Sequence, residues 1–150
     1  MPLKIAAITF ACAVLVSGSA GAQAKPDFSG RWVQVSPSSP AEGGGNEQSV
    51  RQSDSAVTTD HASGGGGHSQ VYKFDAESRG TLGHGIDVIS KAAWDGPKLV
   101  LTSTATYPDN TRRQSRQQWT LGPDGTLTIE SSMKHPDGTV TERKSVHRKK

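Results

Sequence analysis

The chain has 150 residues, with 17 Lys and Arg against 14 Asp and Glu and a formal net charge of +3. That length fits one ordinary domain behind a leader. The charge is too small to mark a nucleic-acid binder by bulk electrostatics, and the single cysteine, Cys12, excludes a disulfide framework.

Residues 1–24 read as a signal peptide. A short basic start, Met1 to Lys4, precedes the apolar run IAAITFACAVLV, and a small-residue end closes on Ala22-Gln23-Ala24, an A-x-A cleavage signal. The run is shorter than the roughly 20 apolar residues that a bilayer crossing needs. Cys12 lies inside it, so no thiol follows Lys25. The expectation is export to the periplasm or the extracellular medium, with one domain over 25–150.

That domain holds only nineteen Val, Ile, Leu and Phe. So thin an apolar content is one mark of disorder. Trp32, Trp94 and Trp119 with a low net charge argue instead for a folded sheet, in which one face of each strand can be wet.

No window after the leader repeats apolar residues at helical spacing. Period-two runs separated by turn residues recur instead. Residues 30–36 read as a strand, and 36–46, SPSSPAEGGGN, as a flexible loop. Residues 47–53 and 56–62 read as a polar hairpin, 63–67 (SGGGG) as a second flexible loop, 69–75 as a strand, and 77–85 as a glycine-containing turn. Five strands follow, over 86–94, 98–107, 112–121, 126–134 and 139–148. Their turns repeat one motif: Pro108-Asp109-Asn110-Thr111, Pro123-Asp124-Gly125-Thr126 and Pro136-Asp137-Gly138-Thr139. Pro presets the first turn dihedral, Asp bonds the local backbone, and Gly or Asn takes the left-handed position. Asp95-Gly96 makes a fourth turn. Short turns make neighbours antiparallel. The expected fold is all-β, an antiparallel up-and-down meander of about 8–10 strands closing into a barrel with first strand against last. An open, strongly curved sheet is the alternative.

The stretch Asp27-Phe28-Ser29-Gly30-Arg31-Trp32 resembles the G-x-W signature on the first strand of lipocalins and other calycins. With Tyr72-Lys-Phe-Asp75, Trp94-Asp95-Gly96 before Leu99-Val100, Trp119-Thr-Leu121 before Asp124-Gly125, and a basic last strand, the chain resembles small exported bacterial lipocalin-like proteins. The resemblance implies that Trp32 closes one barrel end beneath a basic side chain from near the chain end, with Arg143, Lys144 and Arg148 as candidates. Gly30 would allow close backbone approach there. Gly30, Trp32, Trp94, Trp119, Arg143 and Arg148 thus read as a structural motif.

Alternation places Val88, Trp94, Leu99, Leu101, Trp119, Leu121, Leu127, Ile129, Val140 and Val146 inward, with Ser90, Ser103, Ser115, Ser131 and Glu142 in phase. Such an interior is small and partly polar. Val88, Ser90, Leu101, Ser103, Ser115, Ile129, Ser131 and Glu142 are the candidate ligand-lining residues, for a small amphipathic or hydrophobic molecule. A cavity of about 300 Å³ or more would support that reading.

Competing chemistries are thin. His61 and His68 flank the glycine run and His84 follows it, but no two histidines stand at the i, i+2 spacing that puts two ligands on one strand face. No metal and no cofactor is expected. There is no nucleophile elbow, zinc-protease motif, phosphate loop or dinucleotide fingerprint, so no enzyme and no catalytic residue is expected. From Arg112 onward nine Lys and Arg stand against four Asp and Glu. This leaves an alternative role, an envelope interaction protein using a basic outer face against an anionic surface. Nucleic acid is not expected, because aromatic residues are not interleaved with those charges. The chain is expected to be monomeric.

Overall fold

The computed structural model describes residues 24–36, 47–62 and 67–150. All of the expected leader but Ala24 and most of the two expected flexible loops therefore lie outside the described residues.

Among the described residues ten strands form one sheet: β1 (Gly30–Ser36), β2 (Glu47–Gln52), β3 (Ala56–His61), β4 (His68–Lys73), β5 (Ser78–Leu82), β6 (Ile86–Asp95), β7 (Lys98–Thr106), β8 (Arg112–Leu121), β9 (Leu127–Lys134) and β10 (Val140–Lys149). The order is β4-β3-β2-β1-β10-β9-β8-β7-β6-β5, with a further pairing of β4 to β6. Nine strands thus close a ring, and β5 lies alongside β6 as a tenth. The fold is the expected all-β barrel. First strand meets last, with Trp32 opposite Lys149 and Gln34 opposite His147.

One step differs from a uniform antiparallel meander. β5 pairs with the first half of β6, from Ser78 opposite Ser90 to Leu82 opposite Ile86. β4 then joins β6 in parallel at the single pair Lys73 and Lys91. The Ser90 hydroxyl adds a hydrogen bond to the Val71 carbonyl of β4 at 2.7 Å. β5, SRGTL, lies in the segment that the sequence reads as a turn. It carries no apolar alternation, and its pairing with β6 makes it a strand.

The repeated turns act as their residues dictate. Asp109, Asp124 and Asp137 each accept hydrogen bonds through Oδ1 from the backbone N and the Oγ1 of the Thr two residues on, at 2.6–3.1 Å. Asn110, Gly125 and Gly138 take the positive φ. These turns fix the register of β7 to β10.

Register also corrects the phase of the last strand. Opposed residues of an antiparallel pair share a face. Ile129 faces the interior and stands opposite Ser145, so Thr141, Arg143, Ser145 and His147 point inward. Val140, Glu142 and Val146 point outward, against expectation, and Val140 is 58 % exposed. The two valines suggest the wrong phase because this strand carries its apolar residues on its outer face.

The core fills one end. Phe28, Trp32, Val50, Val57, Tyr72, Leu99, Leu101, Trp119 and Leu127 are buried together, with Phe74, Trp94 and Leu121 packed against them. The segment ahead of β1 plugs this end. Phe28 is fully buried, stacked on Trp94 at 6.2 Å and edge-on to Trp119 at 5.9 Å. Its amide donates to Gln52 Oε1 at 3.0 Å, and its carbonyl accepts the Trp32 indole N–H at 2.8 Å. Gln52 Nε2 in turn donates to the Pro26 carbonyl. These bonds satisfy a polar backbone inside an apolar plug.

Candidate functional site

Followed along each strand, the inward residues change from apolar to polar. On β3 they run Val57, Thr59, His61, on β4 Tyr72, Gln70, His68, on β8 Trp119, Gln117, Ser115, and on β9 Leu127, Ile129, Ser131. The aromatic plug occupies the apolar end. The other end holds a cavity of about 420 Å³, open to solvent and lined by residues that include Gln34, Gln48, His61, His68, Gln117, Ile129, Ser131, Arg143, Ser145 and His147. A smaller space of about 230 Å³ adjoins it, sharing Gln117, Ser131 and Arg143 and reaching Ser115, Met133, His135 and Thr141.

Four inward polar atoms have no hydrogen-bond partner among the described residues: Gln48 Nε2 and His147 Nδ1 in the cavity lining, and Thr59 Oγ1 and Gln70 Nε2 on the same inward face of β3 and β4. Gln48, Thr59 and His147 are each at most 5 % exposed. His147 Nε2 meets the Ser145 hydroxyl at 2.9 Å. When that hydroxyl donates, the proton of the imidazole lies on Nδ1.

His61 and His68 oppose each other across β3 and β4, their rings stacked 5.0 Å apart. Burial, then the neighbouring positive charge of His68, holds His61 below the usual histidine range, with Asp60 pulling weakly the other way. Burial, then His61, lowers His147 in the same sense. Deeper in the barrel, burial pushes the Tyr72 phenol up to about 12. Among the described residues Glu47 is the one carboxylate at the cavity rim. It is held by hydrogen bonds from Arg31 and from Lys150, which keep it below the usual glutamate range.

The structure distributes the sequence candidates over distinct places. Ile129 and Ser131 line the large cavity and Ser115 the smaller space. Val88, Ser90 and Leu101 are buried in the wall, Ser90 with its hydroxyl committed to β4. Ser103 stands half-buried between Ser90 and Ser115. Glu142 lies on the outer face with Arg116, Glu130 and Lys144, and Lys144 pairs with Glu130 at 3.3 Å. Of the motif residues, Trp32 has a cation over its ring, but that cation is Lys149, at 5.7 Å. Arg143 is at the opposite end of β10 and Arg148 stands opposite Val33, outside the barrel. Trp94 is sandwiched by Phe28 and Phe74, with Lys25 over its ring. His84 occupies an exposed 3-10 turn at positive φ, and among the described residues no three metal-ligating side chains converge.

Gln48, Gln70, Thr59, Gln117 and His147 escape the sequence reading, which looks for lining residues only on the later strands. A signal was available, since Gln48 alternates with Val50 and Gln70 with Tyr72.

No family model and no curated protein matches the sequence. The fold has clear counterparts among solved structures. A secretary abundant heat soluble (SAHS) protein from Ramazzottius varieornatus superimposes with a TM-score of 0.58 at 10 % identity, over 85 % of this chain and 98 % of that one. The REP1-NXSQ fatty acid transporter gives 0.59 at 9 % identity, over 81 % and 95 %. A mutant of the same transporter, with one tyrosine replaced by phenylalanine, gives 0.57, also at 9 % identity, over 81 % and 97 %. At such identity the likeness is one of fold, a closed β-barrel with an interior.

Proposed function

We propose that this protein is exported by its leader and acts without catalysis, taking a small amphipathic molecule into the polar end of its barrel. The observation that carries this reading is the set of buried, inward polar atoms without a partner among the described residues, on Gln48 and His147 in the cavity lining and on Thr59 and Gln70 on the same inward face. Leaving such a group unsatisfied costs about 1–3 kcal/mol, so a molecule that pairs with several of them at once gains specificity along with affinity. The cavity of about 420 Å³ is of small-molecule size. The likeness to a fatty acid transporter favours a ligand with an apolar tail. The aromatic plug fills the far end, so the tail must be short.

Native mass spectrometry of the protein recovered from its own host tests the reading. The expected result is a reproducible extra mass that disappears on denaturation. A bare polypeptide mass, together with no uptake of any eight-carbon amphiphile by the purified protein, overturns it.

A further inference from the structure

Strand register sorts the charges of this barrel by face. Among the described residues, the ionisable side chains in the inward phase are His61, His68, Tyr72, Arg113, Arg143, His147 and Lys149. None is a carboxylate. The strand acids Asp60, Asp87, Glu130 and Glu142 stand on the outer phase. Two of the inward cations are already engaged, Lys149 over Trp32 and Arg113 over Tyr107. Arg143 is not. Exposed at the barrel mouth, it lines both polar spaces and also borders the outer groove with Glu130 and Glu142, yet no carboxylate of the described residues pairs with it, whereas Arg31, Arg51, Arg79, Lys144 and Lys150 all have acidic partners.

We infer that the polar end of the barrel is a site for an anionic head group, a carboxylate or a sulfate or phosphate ester, with Arg143 as its charged anchor and Gln48 and His147 as neutral donors. The inference rests on the binding reading above and narrows its ligand class. A guanidinium presents paired N–H groups that match the oxygens of such a head. Among the described residues Gln48 Nε2 is a buried donor without a partner, and His147 Nδ1 is another when the Ser145 hydroxyl donates to Nε2. A cavity lined by one sign of charge concentrates ions of the other sign. Glu47 at the rim does not oppose this, because Arg31 and Lys150 hold its carboxylate. A cationic head would face the like charge of Arg143, and the Glu47 carboxylate is already held by Arg31 and Lys150.

The test is titration calorimetry of the folded protein with four eight-carbon amphiphiles below their micelle concentrations: octanoate, octyl sulfate, octyl glucoside and octyltrimethylammonium. The anions are expected to bind about tenfold or more tighter than the glucoside, and the cation not at all. Arg143→Gln is expected to bring the anions down to the glucoside's affinity, while Arg148→Gln, which removes the same charge from the outer face, leaves the preference intact. Octanoate against octyl sulfate distinguishes a carboxylate site from a sulfate or phosphate ester site. Equal binding of anion and glucoside, or a preference that survives Arg143→Gln, overturns the anion site and leaves small-molecule binding standing. Binding of none of the four overturns both.

Discussion

Lys149 lies across the face of Trp32, its ammonium 5.7 Å from the ring centroid, and its side chain runs through the space that a β-carbon on Gly30 would take. Gly30 holds φ at +138°, a conformation that other residues rarely adopt. Three residues at the two ends of the chain are therefore coupled. Gly30→Ala is expected to destabilise the barrel by about 1–3 kcal/mol through backbone strain and crowding of Lys149. Lys149→Ala alone should cost about 0.5–1 kcal/mol, the range for an exposed cation over an aromatic ring. In the double variant the crowding is gone, so Gly30→Ala should cost less than in the parent, by about 0.5 kcal/mol or more. Urea unfolding of the four proteins measures the coupling. Strict additivity would mean that Lys149 does not constrain position 30.

Phe28 is the plug of the apolar end, fully buried against Trp94 and Trp119. Phe28→Ala is expected to cost about 3–5 kcal/mol, the range for emptying a large aromatic site in a core. In so small a core it should also shift the tryptophan emission, since two of the three indoles lose a ring contact. Phe28→Leu, which keeps much of the volume, should recover most of the stability. If Phe28→Ala unfolds at the parental urea midpoint, the segment ahead of β1 does not close the barrel.

The same region shows how far the sequence could be read. The Pro-Asp-Gly-Thr turns specify their geometry within four residues, so β7 to β10 are legible without any tertiary knowledge. The pairing of first strand with last is legible through the motif around Trp32, because closing a meander demands it. The identity of the cation is not. Lys149 faces Trp32 only because β10 pairs to β1 in one register, and a shift of one residue would have presented Arg148 instead. The polar end is obscured for a related reason. Alternation reveals an apolar face, but an inward face that turns from Tyr72 to Gln70 to His68 looks like a solvent face until the neighbouring strands are in place.

Stability should fall on mild acidification because of His61 and His147. Burial depresses both in the folded protein, so between the ordinary histidine value near about 6.5 and their lower folded values the unfolded chain binds protons that the folded chain does not. Folded-state stability is then greatest above that window and declines as pH falls through it. His61→Gln and His147→Gln, without this titration, should each flatten the decline. A second, lower window belongs to Asp109, Asp124 and Asp137, whose carboxylates are lowered by hydrogen bonds from their threonines. For these groups the turn contribution is present above the ordinary aspartate range and is lost as pH falls through the folded values. Thermal melts at a series of pH values should therefore show two separate declines. A melting temperature constant through the histidine window in the parent would contradict the first.

The barrel is least secured where β4 meets β6. One parallel residue pair, Lys73 with Lys91, and the Ser90 hydroxyl on the Val71 carbonyl hold that junction. Every other join in the ring is a ladder of at least four pairs. Local opening follows the weakest set of hydrogen bonds, so amide exchange should be fastest in β4 and β5 and slowest in β7 to β9. Ser90→Ala removes the hydroxyl and with it the hydrogen bond to the Val71 carbonyl, at an expected cost of about 0.5–1.5 kcal/mol, the net worth of one such bond. That cost should appear first as faster exchange in β4 and only later as global unfolding, because the ladders on both sides remain intact. Since β4 also carries His68 into the cavity lining, the variant should release a bound amphiphile faster as well. Exchange that rises uniformly over all ten strands in Ser90→Ala would show instead that the junction opens only with the whole barrel.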